Sequence, residues 1–191
     1  VNTLPGSCGG RRFMPNPGGD RGFYNSINLQ PGDTLYIDGT KSWSYIYIAD
    51  KNGTPECPIV IMNIGGQARL TGQQAQISLY NCTNIKVLGN GTANVPYGFY
   101  IQPYPDDTIA NGTFAVNIAG RSKSIEIGHV SIRNAGMGIV IKEDGGCDPM
   151  YNYPNWVLDS MTIHDNRIVN TWNQGMYMGN TSPDNGPTSY S

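Results

Sequence analysis

Charge is scarce in this chain. Asp, Glu, Lys and Arg together make up 14% of the 191 residues, the net charge is -2 and no basic run occurs, so the electrostatic footprint of a nucleic-acid binder is missing. No stretch approaches eighteen consecutive apolar residues, which excludes a membrane-spanning helix. The N-terminus has no charged-then-apolar signal pattern, so an exported protein would be seen here in its mature form. Cysteine is limited to Cys8, Cys57, Cys82 and Cys147. None of the four sits in a CxxC or a Cys/His metal spacing, which argues against zinc. Cys57 and Cys82 each stand two or three positions ahead of an expected strand, at the same corner of adjacent turns of chain. A disulfide between them and a stacked pair of free thiols are the two readings.

Glycine and asparagine are abundant instead: 25 Gly and twenty Asn supply corners, and long helices are not expected. The stretch 124–141 packs three short alternating apolar segments into eighteen residues, with Asn134 and three Gly between them. Period-two alternation over three or four residues suits half-buried strands. The stretch recurs: Ile127, Ile132, Asn134 and Gly138-Ile139-x-Ile141 have counterparts at Ile163, Ile168, Asn170 and Gly175-Met176-x-Met178. A fainter copy runs from Ile85-x-Val87 to Gly98-x-x-Ile101. Repetition at a near-constant period is the mark of a solenoid, whose units bury their apolar faces against their neighbours. Strands separated by 8 to 14 residues also fit an antiparallel sandwich. The matched offsets, and the lack of Asn-Gly or Asp-Gly as two-residue links, favour the coil.

Residues 1–25 are dense in Pro and Gly and read as an irregular lead-in or cap. Residues 26–191 read as the coil, which is expected to continue beyond the given chain because Ser182 to Ser191 closes nothing apolar. Insertions interrupt it at 104–113 and 143–155.

The repeated Asn134 and Asn170 corner and the Gly138 and Gly175 strands resemble the right-handed parallel β-helix, the pectate-lyase-like superfamily. The segments from Cys147-Asp148-Pro149 through Pro154-Asn155-Trp156 to Gly175-Met176-Tyr177-Met178-Gly179-Asn180 are similar to large cell-surface β-helix proteins of bacteria that use type IX secretion. The resemblance implies an all-β coil with three short strands per turn, an asparagine ladder at one corner, and an extracellular or cell-surface location. It also implies O-glycosylation at Asp-Ser/Thr-apolar motifs, here at Thr34, Thr108 and Ser160. Asn-x-Ser/Thr sequons at Asn52, Asn81, Asn90, Asn111 and Asn180 matter only in a eukaryotic host.

β-Helix enzymes acting on uronic-acid polymers bind calcium through Asp and Glu and use Arg or Lys as base. Here the acidic candidates are Glu143, Asp144 and Asp148 on one inserted loop, which make calcium the cofactor to expect if there is one. Lys142, Arg133, His129 and Asp165 are the catalytic candidates, with His129 and Asp165 at the same register of consecutive turns. Lys86 beside Glu126 reads as a cross-turn ion pair. Aromatic residues are the better lead: Tyr100, Tyr177, Trp172, Tyr151 and Tyr153 offer flat rings with polar handles, which suit sugar rings. Aligning the repeats puts Tyr100, Val140 and Tyr177 in one outward column. The resulting expectation is a glycan-binding or adhesive module. The alternatives are a polysaccharide lyase or epimerase, and a scaffold that partners secretion or surface-assembly proteins.

Overall fold

The computed structural model describes residues 8–72, 75–104, 112–143 and 148–179. Among them are seventeen strands, one short 3-10 turn at Pro149–Tyr151 and no α-helix. The strands form three sheets, parallel throughout. The first holds β1 (Arg12–Phe13), β3 (Thr34–Asp38), β6 (Ile59–Ile64), β9 (Thr83–Leu88), β12 (Lys123–Gly128) and β15 (Met161–His164). The second holds β4 (Ser42–Trp43), β7 (Ala68–Leu70), β10 (Phe99–Ile101), β13 (Val130–Ala135) and β16 (Arg167–Thr171). The third holds β2 (Gly22–Tyr24), β5 (Tyr45–Ala49), β8 (Ile77–Tyr80), β11 (Phe114–Ala119), β14 (Met137–Lys142) and β17 (Met176–Gly179). From β3 onward the chain visits the three sheets in fixed rotation, so each strand pairs with its equivalents one turn before and one turn after. The arrangement is solenoid-like.

Alternation decides what lies inside. Ile61, Val87, Ile127 and Ile163 pair in one ladder of the first sheet. Ile48, Leu79, Ile118, Ile141 and Met178 do so in the third. All but the last turn's Ile163 and Met178 are at most 1% exposed. Each fully buried Ile or Leu contributes about 1.5–3 kcal/mol, so the stacked aliphatic rows are the main source of stability. Trp43 fills the early turns, wholly buried, with its indole N–H donated to Asp38 O at 2.9 Å.

Corners are left-handed, and the repeat places them in register. Asn84 and Ser124, each the second residue of its first-sheet strand, and Ser160, just ahead of the next, stand at φ +53°, +55° and +54°. Asn134 and Asn170 turn between the second and third sheets at +53° and +57°, and Asn170 Nδ2 donates to Asn134 Oδ1 at 2.7 Å. This is the asparagine ladder, formed because Asn tolerates the left-handed region and its amide reaches its counterpart on the next turn.

Three expectations need correcting. The lead-in is not wholly irregular: β1 pairs with β3 and β2 with β5, so Arg12–Phe13 and Gly22–Tyr24 start the first and third sheets. The disulfide joins Cys57 to Cys8, with Cα atoms 5.6 Å apart, and not to Cys82. Residues 54–57 close a turn, Thr54 N–H to Cys57 O and Cys57 N–H to Thr54 O, that carries Cys57 outward beside the lead-in. Cys82 points inward, fully buried, and burial pushes its thiol up to about 11. Finally, β10 pairs with β7 and β13 in the second sheet, with Ile101 opposite Ile132. The Gly98-x-x-Ile101 copy is thus a second-sheet strand and not the counterpart of Gly138-x-x-Ile141.

A buried amide holds the 89–98 connection in place. Asn63, with no exposed surface, donates Nδ2 to Gly66 O (2.7 Å) and Thr92 Oγ1 (3.1 Å), and accepts from Gly91 N–H (2.9 Å). Replacing it with Leu keeps the volume but strands the Gly91 donor and the Gly66 acceptor. We expect Asn63→Leu to lose about 2 kcal/mol in urea unfolding. A midpoint equal to that of wild type would show that water satisfies these groups instead.

Candidate functional site

Two outward surfaces gather polar chemistry. The first lies at the corner between the third and first sheets, where Asp50, Asn81 and Gly120 end consecutive third-sheet strands at φ +53°, +51° and +66°. Asp50 Oδ1 accepts from Asn81 Nδ2 at 3.2 Å, and Asn81 Oδ1 accepts from Arg121 N–H at 3.0 Å, so the corner is a polar ladder. Above it stands the loop 148–156, tied to itself by Met150 N–H to Asp148 Oδ1 and Asn155 Nδ2 to Pro149 O. Tyr151 anchors that loop: its hydroxyl lies 3.4 Å from that of Tyr80, and the Arg121 guanidinium sits 5.9 Å from its ring centroid. The contact with Tyr151 pushes the Tyr80 phenol up to about 12. Between ladder and loop lies a groove of about 330 Å³ lined by Asp50, Asn52, Asn81, Thr83, Arg121, Lys123, Asn155 and Trp156. The Trp156 indole N–H is shielded from solvent and has no hydrogen-bond partner among the described residues.

The second surface lies on the outer face of the first sheet and the corner beyond it. Lys86, Glu126 and Thr162 form one outward row, and a shallower groove of about 160 Å³ runs over them, flanked by Asn84, Ser124 and Ser160. Lys86 Nζ reaches Glu126 Oε2 at 2.6 Å, which bears out the cross-turn ion pair. Glu126 Oε1 accepts from His164 Nε2 at 3.1 Å, and His164 Nδ1 lies 2.9 Å from Asp165 Oδ2. His129 completes the group, its Nε2 3.8 Å from Asp165 Oδ2 and its Nδ1 3.3 Å from Pro96 O. Burial opposes ionisation of Glu126, but hydrogen bonds from Lys86 and His164 outweigh it and hold the carboxyl below its usual range. The hydrogen bond to Asp165, then that to Glu126, raises the His164 imidazole above its ordinary value despite partial burial. Asp165 is lowered in turn by His164.

The candidate residues are distributed as follows. His129 and Asp165 do stand together, as their shared register implied, and His164 and Glu126 join them. Arg133, on the second sheet, and Lys142, at the end of β14 in the third, lie on other faces of the coil. Tyr177 pairs with Val140, but the rest of that column is Asn117, Ser78, Tyr47 and Tyr24. Tyr100 belongs to the second sheet, between Arg69 and Ser131, with the Arg69 guanidinium 5.1 Å from its ring and its hydroxyl donated to Gln102 at 2.7 Å. Tyr24 and Tyr47, passed over by the sequence reading, stack at 4.8 Å and 8°. Their signal was the 23-residue spacing, hidden by the Pro- and Gly-rich lead-in. Trp172 and Tyr153 are exposed, at the turn before β17 and on the 148–156 loop.

Of the acidic loop, Glu143 Oε2 accepts from Gly120 N–H at 2.6 Å and Asp148 caps the 3-10 turn. Asp144 lies outside the described residues, as do Thr108, Asn111, Cys147 and Asn180. Thr34 is 3% exposed inside β3, where no modifying enzyme reaches it in the folded chain. Ser160 is exposed, its hydroxyl donated to Asp159 at 2.9 Å.

Compared with known proteins, the chain matches no family model, no curated protein and no solved structure.

Proposed function

We propose that this chain is a right-handed parallel β-helix of the pectate-lyase-like kind, exported to the cell surface or beyond, that binds an acidic polysaccharide. The observation that carries the reading is the 330 Å³ groove at the corner of the third and first sheets. Its volume falls at the lower end of the range for small-molecule sites, about 300–1,000 Å³. Its lining combines amide and hydroxyl groups, which exchange hydrogen bonds with sugar hydroxyls, with Trp156, whose ring suits a C–H face. Two cations, Arg121 and Lys123, outnumber the single carboxylate of Asp50 along the groove, which favours a uronate over a neutral sugar. The Cys8–Cys57 bond supports export, because such bonds persist in oxidising compartments.

Titration calorimetry with uronate-containing and neutral oligosaccharides tests this. Wild type should bind the acidic ones, and Arg121→Ala should weaken binding about tenfold, the equivalent of losing one charge-assisted contact. Unaltered binding by Arg121→Ala moves the site elsewhere. Calcium-dependent formation of ultraviolet-absorbing unsaturated uronates would replace binding by a lyase reading. Silence in both assays would favour a scaffold.

A further inference from the structure

The repeat that stacks His129 against Asp165 does more than pair an imidazole with a carboxylate. We propose that His129, His164 and Asp165 form a binding site for a first-row divalent cation, zinc in the first instance, at the corner between the first and second sheets. One ligand atom from each of the three lies within 4.8 Å of the others. Around a tetrahedral zinc with bonds of 2.0–2.2 Å, neighbouring ligand atoms sit about 3.4 Å apart. The separations of Asp165 Oδ2 from His164 Nδ1, 2.9 Å, and from His129 Nε2, 3.8 Å, bracket that value. The two histidine nitrogens lie within 4.8 Å of each other, so a bound cation would draw the two rings closer together.

The second observation is how the other ring nitrogens are held. Pro96 O, 3.3 Å from His129 Nδ1, can only accept, so Nδ1 carries the proton and Nε2 presents its lone pair toward Asp165. Glu126 Oε1, 3.1 Å from His164 Nε2, likewise can only accept, so Nε2 carries a proton; Nδ1 donates to Asp165 at 2.9 Å in the metal-free chain, and a cation would take the place of that proton. A histidine ligand ordinarily donates its remote N–H to a carboxylate or a backbone carbonyl, which sets the tautomer and the ring orientation. Both histidines meet that requirement, by different partners, and Lys86 in turn fixes Glu126 at 2.6 Å. The backbone makes room as well. A Cβ at Gly128 would meet the His164 ring at 2.7 Å, so a side chain there would displace the ligand. Two imidazoles and a carboxylate select zinc, cobalt or nickel over calcium, which takes oxygen ligands. Three protein ligands leave coordination open to water or to a substrate oxygen. The sequence reading argued against zinc because it weighed cysteine spacings; this donor set has no cysteine, and its members come from two turns of the coil.

The test uses the full chain, untagged and stripped with a chelator, titrated with Zn²⁺ and with Co²⁺. We expect one equivalent to bind, with visible Co²⁺ absorption bands, and no displacement by millimolar Ca²⁺. His129→Asn and Asp165→Asn should each weaken uptake at least tenfold; Asn tolerates the left-handed backbone at these positions, φ +59° and +51°. The chain has just two histidines, so the wild-type imidazole proton resonances give a readout that needs no variant: Co²⁺ must shift both. Failure of wild type to take up either ion, resonances that stay put, or uptake by both variants equal to that of wild type would overturn the site and leave the cluster a structural hydrogen-bond group.

Discussion

Ile127→Asp should abolish the cooperative thermal transition or lower its midpoint by at least about 10–20 °C. Ile127 has no exposed surface and sits in the first-sheet ladder between Val87 and Ile163. Removing its side chain costs roughly 2–5 kcal/mol in lost burial and cavity. A carboxyl without partners in that apolar interior adds several more, paid either as desolvation or as a proton held at neutral pH. The total, above about 5 kcal/mol, is comparable with the whole stability of an ordinary domain, and for a chain of this length each kcal/mol moves the midpoint about 2–4 °C. The damage is not confined to one strand, because each turn of a solenoid is stabilised by its neighbours. Arg167→Ala, exposed on the outer face of β16, should change stability by less than about 0.5 kcal/mol. A melting curve for Ile127→Asp that overlays wild type would mean that this row does not face the interior.

Asp33→Ala should cost about 3 kcal/mol and flatten the acid side of the stability profile. The Asp33 carboxylate is 1% exposed and accepts from Arg11 N–H (2.7 Å), Arg11 Nη2 (2.6 Å) and Gln30 N–H (2.8 Å). Removing it strands two backbone donors and releases the lead-in that supplies β1. Burial raises the pKa of this carboxyl, but the hydrogen bonds and charge of Arg11, with the Gln30 amide, outweigh it and set the net shift downward. A folded pKa below the unfolded value of about 3.9 means that the stabilisation is fully present above that value and disappears as pH falls through the folded one. Wild type should therefore lose stability more steeply than Asp33→Ala below about pH 4. Urea midpoints measured from pH 7 to pH 2.5 check this, and parallel profiles for the two proteins would contradict it. The position also bears on the motif reading: Asp33-Thr34-Leu35 matches a glycosylation pattern, yet the Asp33 carboxylate is committed to Arg11 and Gln30 and Thr34 is 3% exposed.

What the sequence determined by itself is the class of fold and the direction of its inward residues. Ile85, Ile127 and Ile163 needed no tertiary information, because a two-residue alternation leaves one face for the core and a 36- to 40-residue period states which strands stack. The same register argument brought His129 over Asp165. It failed where loop length varies: the 89–98 and 104–113 insertions shift the phase, so Tyr100 was assigned to the column of Tyr177 when it faces outward from another sheet. The groove of Arg121, Lys123 and Trp156 was illegible for a related reason. Its two walls, corner and loop, meet only when residues 148–156 fold back over a corner some thirty positions earlier. Tertiary structure also decided the partner of Cys57, since a four-residue turn set its side chain outward while Cys82 faced in. Spacing along a strand is dictated by backbone geometry and can be counted; the path of a connection depends on what it packs against, and that is known only once the coil is closed.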